Sequence, residues 1–376
     1  MKLRLITCFI ALTSWSSCSS DNSAIEEYRL VRETYNIPTS GKISLSNPHH
    51  LSNDTLYSFD SYQKTLLKLS LLDSQIVESQ IEFDFELEPY IFYYIQRDSV
   101  LFSTGNKLFL SDQNGKIYHQ IGLFSGLNQI EKEVYQEYPF DGFAPHLFYN
   151  GNSKSVLLYF AKRSQIDRRK VWAEISISNG TWKVFDGYHP EEYDGDALNY
   201  TTFPSVTWGP GGLYFQYSIA PIVTQLDTVS SRQKDFIIRS FDGIQFAEPQ
   251  TYREEWTSDY FENWVLTSPN YLKLIYDPFR NLFYRFSHPA LDSYPPSGKD
   301  YYEYLVENRD IHLTVLNERM EVLLNEILPK GKYDVAKSMV FSKGLLVPIE
   351  SSSLKDEEQL YVDLFKVAQK SSLEIR

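Results

Sequence analysis

Cysteine is almost absent. The chain of 376 residues holds 2 cysteines, Cys8 and Cys18, both near its N-terminus. If the leading segment is removed, one thiol at most remains, so no disulfide can form and stability must come from a packed core. Cysteine catalysis and cysteine-ligated metals go with it. Alanine is scarce as well, at 11 residues against 28 tyrosines and 24 phenylalanines. Alanine favours helix and aromatics favour strand, so the composition leans towards an all-β fold. There is no basic stripe and no run of five like charges, and the net charge is −13. Such a surface repels phosphate backbones, and nucleic acid is not an expected partner. No long apolar run follows the first residues, so no transmembrane helix is expected. With 42% hydrophobic and 15% aromatic residues, a disordered chain is excluded.

What is present begins at the N-terminus. "MKLRLITCFIALTSWSSC" sets Lys2 and Arg4 before an apolar stretch, Leu5 to Leu12, and then small polar residues up to Cys18. That is the anatomy of an export signal, too short to span a membrane. The ending Ser16-Ser17-Cys18 resembles a bacterial lipoprotein site, where the signal is cut before the cysteine and the thiol is lipidated. Trp15 stands where such sites usually carry an aliphatic residue, and a plain secretory signal is the other reading. The expected organisation is a signal over 1–17, a polar tether over 18–26 and one domain over 27–376. Removing Lys2 and Arg4 takes the formal charge from −13 to −15.

The rest of the chain repeats short strands and turns. Five strand openings follow a proline, at Pro48, Pro89, Pro145, Pro204 and Pro269, and a sixth, "VAKSMVFS" at 335, lacks one. Turn chemistry punctuates them, with Asn-Gly at 114–115 and 179–180, Asp-Gly at 242–243 and "GPGG" at 209–212. A repeat of roughly 40–65 residues carrying up to four strands is the mark of a β-propeller. The openings predict six blades, with seven as the alternative count. The ring is expected to close by pairing "EYRLVRETY" at 27–35 with "QLYVDLFKV" at 359–367. Helical turns are expected near "YYEYLVEN" and in "REEWTSDYFENW" at 253–264.

The densest stretch is "YDPFRNLFYRFSHP" at 276–289. In a propeller it reads as the end of one strand, a turn opened by Asp277-Pro278 and closed by Asn281, and a second strand. Leu282, Tyr284 and Phe286 then share one face, and Phe283, Arg285 and Ser287 the other. Both faces are covered by neighbouring blades. Asp277, Tyr284 and Arg285 are therefore read as structural. Arg285 would need a carboxylate from the next blade or an aromatic ring to stack on.

The export signal, the repeated strands, the "YDPFRNLFYRF" hairpin and the later "IHLTVLNERMEVLLNEILP" together resemble the Bacteroidetes lipoproteins grouped as "domain of unknown function 4221". The resemblance covers nearly the whole mature chain. It rests on the aromatic-Tyr-Arg strand, here Phe283-Tyr284-Arg285, and on the leucine-rich hairpin. It implies a six-bladed propeller and a lipid anchor. The family has no assigned activity, so it contributes no catalytic residue.

No dinucleotide, phosphate-loop, zinc-protease or serine-hydrolase motif is present. The best lead is the residue set after the prolines: His49 and His50, Tyr90, His146, Ser205 and Asn270. If the openings are innermost strands, these side chains gather at one channel mouth and can hold a ligand. The plainer reading is that they cap turns or meet channel water. "YHPEEYDGD" at 188–196 clusters carboxylates near His189 but lacks calcium-loop spacing, so no metal or cofactor is expected. Thr55, Ser99 and Thr228 each follow an aspartate and precede an aliphatic residue. They resemble sites at which exported Bacteroidetes proteins can be O-glycosylated, although Asp-Ser/Thr pairs also start strands after turns.

The expected role is a non-catalytic, lipid-anchored propeller of the cell envelope, placed at the outer membrane on its periplasmic or surface face, with an envelope protein or glycan as partner. The alternative is an envelope hydrolase or lyase acting on glycan or peptide at the channel mouth.

Overall fold

The computed structural model describes residues 28–39, 49–52, 54–60, 65–73, 76–80, 91–96, 99–104, 107–112, 114–122, 135–137, 147–150, 153–162, 170–186, 204–227, 229–230, 232–239, 264–291, 301–350 and 359–370. The signal, the tether, Cys18, Tyr90, His146, Thr228 and the 188–196 loop lie outside them. Most of 253–264 does too.

The described residues form six antiparallel sheets in a ring, a six-bladed β-propeller. Blade 1 holds β2 (His49–Ser52), β3 (Thr55–Asp60), β4 (Thr65–Ser70) and β5 (Ile76–Gln80). Blade 2 holds β6 (Ile91–Gln96), β7 (Ser99–Thr104), β8 (Lys107–Asp112) and β9 (Ile117–Gly122). Blade 3 is built on β11 (Leu147–Asn150), β12 (Ser155–Lys162), β13 (Lys170–Ser176) and β14 (Trp182–Asp186). A fifth strand, β10 (Tyr135–Glu137), pairs with the far end of β12, an addition that the repeat pattern does not reveal. Blade 4 holds β15 (Ser205–Gly209), β16 (Gly212–Gln216), β17 (Ile222–Asp227) and β18 (Arg232–Ile237). Blade 5 holds β19 (Asn270–Asp277), β20 (Leu282–His288), β21 (Ile311–Asn317) and β22 (Val322–Leu328). A helix, α1 (Tyr301–Asn308), interrupts blade 5 where "YYEYLVEN" stands.

Blade 6 closes the ring. Its chain order is β23 (Met339–Phe341), β24 (Gly344–Pro348) and β25 (Gln359–Gln369), and its outermost strand is β1 (Tyr28–Pro38). The β1–β25 register runs from Tyr28↔Gln369 to Pro38↔Gln359. Asp363, fully buried on β25, ties the seam together. It accepts hydrogen bonds from Thr34 Oγ1 at 2.6 Å, from Lys332 Nζ at 2.6 Å and from the Tyr333 hydroxyl. Burial alone would raise its carboxyl, but the bonds from Lys332, Thr34 and Tyr333 outweigh that and hold it below its ordinary value. A carboxylate depressed in the folded state adds stability above its unfolded pKa, and that stability is lost as pH falls through the folded value. Asp363→Asn should cost about 1–3 kcal/mol at pH 7. The gap between wild type and variant should then close as the pH drops below about 4. Urea midpoints across that range test this, and parallel curves would refute it.

Between blades the core divides into sheet-on-sheet layers. Tyr284 and Phe286 pack with Val347 and Phe365 between blades 5 and 6, while Phe283 packs with Tyr214 and Leu274 between blades 4 and 5. The two faces of β20 thus serve two different interfaces. The turn before it is held by Asp277, whose Oδ1 accepts the N–H groups of Phe279 and Arg280 at 2.9 and 3.1 Å. Its Oδ2 pairs with Arg280 Nη1 at 2.6 Å and accepts the Tyr284 hydroxyl at 3.1 Å. Asn281 supplies the positive φ of 55° that ends the turn. At the blade 4 turn, Gly212 is required by space as well as by φ: an added Cβ would lie 2.2 Å from the Leu226 carbonyl oxygen.

Arg285 is fully buried between blades 4 and 5. Its guanidinium lies over the Tyr271 ring, 4.1 Å from the centroid, and Nε donates to Gln216 Oε1 at 2.9 Å. Its partners are therefore a ring of its own blade and an amide of blade 4. Neither Nη atom has a hydrogen-bond partner among the described residues.

Candidate functional site

The innermost strands β2, β6, β11, β15, β19 and β23 enclose the ring axis, and four of them line a central cavity of about 490 Å³. The wall between blades 4 and 5 is stitched by hydroxyls. Ser205 Oγ accepts the Leu274 N–H at 2.8 Å, and two residues on, Thr207 Oγ1 accepts the Tyr276 N–H at 3.1 Å. Alternate residues of β15 thus use their side chains to satisfy backbone donors of β19. Since Thr207 uses its oxygen as acceptor here, its hydroxyl proton remains a donor.

Lys273 is the only lysine or arginine on the described cavity wall. It stands beside a β-bulge between Tyr271 and Lys273. Leu272 and Lys273 both turn to blade 6: Leu272 packs with the blade 5–6 core, and Lys273 Nζ donates to the carbonyls of Ala336 and, at 2.8 Å, Ser338. The side chain keeps partial access to the cavity while its amine is surrounded by protein. Burial lowers its pKa to about 8, with Asp334 opposing. Two carbonyl acceptors also favour the charged form, so the amine is an ammonium at neutral pH. Beside it Ser338 is 3% exposed, and its Oγ has no hydrogen-bond partner among the described residues. Apolar side chains complete the wall, among them Leu51, Val206, Ile275 and Met339. A wider hollow of about 960 Å³ opens where the innermost strands of blades 3 to 5 turn back, and it shares Thr207, Tyr276 and Pro278 with the cavity.

The residues expected after the prolines fare differently from one another. His50 lines the cavity. His49 opens β2, opposite Ser58. Ser205 is engaged in the wall, as described. Asn270 opens β19 opposite His288, and its Oδ1 is buried without a partner among the described residues. Thr55 begins β3, and Ser99 Oγ accepts the Tyr118 hydroxyl at 3.0 Å. Lys273, Ser338 and Thr207 also line the cavity, outside that set. Thr207 was within reach, two residues beyond Ser205 on the same face. Lys273 shares its side of β19 with Ile275, as alternation has it, and the bulge changes the side of Leu272 instead. Among the described residues no group of three or more His, Cys, Asp or Glu side chains is placed to hold a metal.

No family model matches the sequence, and no curated protein is similar to it. Among solved structures, the chain is similar to a member of the duf4221 family from Bacteroides vulgatus. The identity is 16%, the match covers 92% of this chain and 99% of that one, and the TM-score is 0.65. It is also similar to a Bacteroides fragilis protein described as exported, with 10% identity, 92% and 96% coverage and a TM-score of 0.51. At such identities the likeness concerns architecture. The chain is a six-bladed β-propeller that shares its fold, over nearly its full length, with a duf4221 protein of Bacteroides.

Proposed function

We propose that the protein is a lipid-anchored propeller of the duf4221 kind, held in the cell envelope through Cys18, whose central channel binds a ligand without transforming it. The export signal ending at Cys18 and the shared fold support the location, with the outer membrane as the site of anchoring. The observation that carries the binding role is the channel cavity itself. Four blades converge on it, and it combines an apolar wall with donors from Lys273, Thr207 and Ser338. Its volume of about 490 Å³ falls in the range of small-molecule sites. A pendant sugar of an envelope glycan or a side chain of an envelope protein would fit the same description.

Two measurements test this. Cys18→Ser should move the protein from the membrane fraction to the soluble envelope fraction, and an unchanged distribution would remove the anchor. For the channel, wild type and a filled variant, Met339→Trp, are incubated with a native envelope extract, and bound molecules are identified by mass after release. Molecules retained by wild type should be lost from the variant. Equal retention, or none by either, would overturn channel binding. A retained molecule that emerges cleaved would favour a hydrolase or lyase instead.

A further inference from the structure

We propose that the channel site selects a small organic carboxylate, held by the Lys273 ammonium and the Ser338 hydroxyl. This rests on the channel-binding reading above and names its ligand class.

Apart from His50 and the Asp54 carboxylate, the polar groups considered at the site offer donors. An ammonium has three N–H bonds. Two of those on Lys273 go to the carbonyls of Ala336 and Ser338, and the third has no acceptor among the described residues. No carboxylate of the described residues lies within ion-pair distance of Nζ. Asp334, which feels its charge, is paired with Lys337 at 2.8 Å, and Asp54 Oδ1 accepts the Ser342 N–H at 2.7 Å. The Ser338 hydroxyl is buried at the same wall with its oxygen unpartnered. A buried hydroxyl left unsatisfied is costly, and a ligand acceptor removes that cost. Thr207 has a hydroxyl proton to give. Together these are an ammonium with no ion-pair partner among the described residues and two hydroxyl donors, which match an acceptor-rich anion; the one carboxylate of the described wall, Asp54, stands on blade 1 and is engaged by the Ser342 N–H.

The charge of the anion follows from what surrounds it. One ammonium and two hydroxyls suit a single negative charge. A phosphate dianion is better met by an arginine fork or several backbone N–H groups. Arg285, the buried arginine nearest in sequence, faces blade 4 and Tyr271 instead. The apolar part of the wall, Leu51, Val206, Ile275 and Met339, then covers the organic body of the acid.

The test is calorimetric titration of the mature protein with sodium benzoate, with benzamide as the neutral analogue of the same shape. Benzoate should bind at one site at least about tenfold more tightly than benzamide. Lys273→Met should weaken benzoate about tenfold or more, Ser338→Ala by several-fold, and Lys273→Arg should retain binding. Equal affinity for benzoate and benzamide in wild type would overturn the proposal, and that comparison needs no variant to fold. So would undiminished benzoate binding by Lys273→Met, or no benzoate binding at millimolar concentration. The extract experiment separates the two readings. A neutral molecule retained by wild type and lost from Met339→Trp would leave channel binding standing and the carboxylate assignment refuted.

Discussion

Removing residues 28–38 should open the ring and abolish the cooperative melt of the intact domain. Strand β1 pairs with β25 along eleven positions. It buries Ile37 in the blade 6–blade 1 core and packs Tyr28 and Leu30 against the blade 5–6 core. It also brings Thr34 to Asp363 and Glu33 to Lys366, the latter at 2.6 Å. A net contribution of about 1 kcal/mol for each ladder hydrogen bond, with burial added, approaches the whole stability of an ordinary domain, about 5–15 kcal/mol. The exposed Glu33–Lys366 pair adds little to that sum. The truncated chain should therefore show a broad or absent transition by circular dichroism and a larger hydrodynamic radius. A synthetic peptide of residues 28–38, added in excess, should restore part of the transition by mass action. A truncated protein melting within a few degrees of the intact one would show that β1 is dispensable for closure.

Arg285 should respond in opposite directions to two substitutions. Arg285→Ala should lower stability by about 2–4 kcal/mol, because it empties a fully buried site and leaves Gln216 Oε1 without its donor. Arg285→Met should be neutral or stabilising. Burial of a guanidinium costs free energy unless its donors are met, and here both Nη atoms lack partners among the described residues. Desolvation pulls its pKa down to about 10, although Tyr271 opposes this. Methionine keeps much of the volume and an attractive contact with the Tyr271 ring without that cost. Denaturant midpoints of the three proteins decide the matter. If methionine is as harmful as alanine, the stacked guanidinium on Tyr271 is a net stabiliser, and the unpartnered nitrogens cost less than argued.

Much of the architecture could be read from local chemistry. Each of Pro48, Pro89, Pro145, Pro204 and Pro269 stands one or two residues before an innermost strand, because proline cannot donate to a ladder and suits a strand entrance. The Asn-Gly pairs at 114–115 and 179–180 sit in hairpins with Gly115 and Gly180 at positive φ. The pairing of the first and last strands followed from the need of a ring to have no free edge. The cavity wall was less legible. Lys273 lies on the side of β19 that alternation gives it, but the carbonyls it meets there, those of Ala336 and Ser338, belong to a distant segment. Ser338 lies in the sixth opening, which has no proline to mark it, and its significance depends on Lys273, which is 65 positions away. Asp363 looks like any charged residue of a strand until Lys332, Tyr333 and Thr34 converge on it. These are contacts between distant segments, and a single sequence carries no local record of them.

The seam has a consequence for the order of events during synthesis. Of the described strands, the first to leave the ribosome must wait for the last, since Tyr28 meets Gln369 and no other described strand pairs with β1. Until β25 is made it is an orphan edge, the kind of segment that recruits other chains. Its sequence, YRLVRETYNIP, carries Arg29, Arg32 and Glu33 and ends in proline, and charge and proline are what natural edges use against such recruitment. The charges of β1 thus protect a nascent chain before they ever decorate a finished ring.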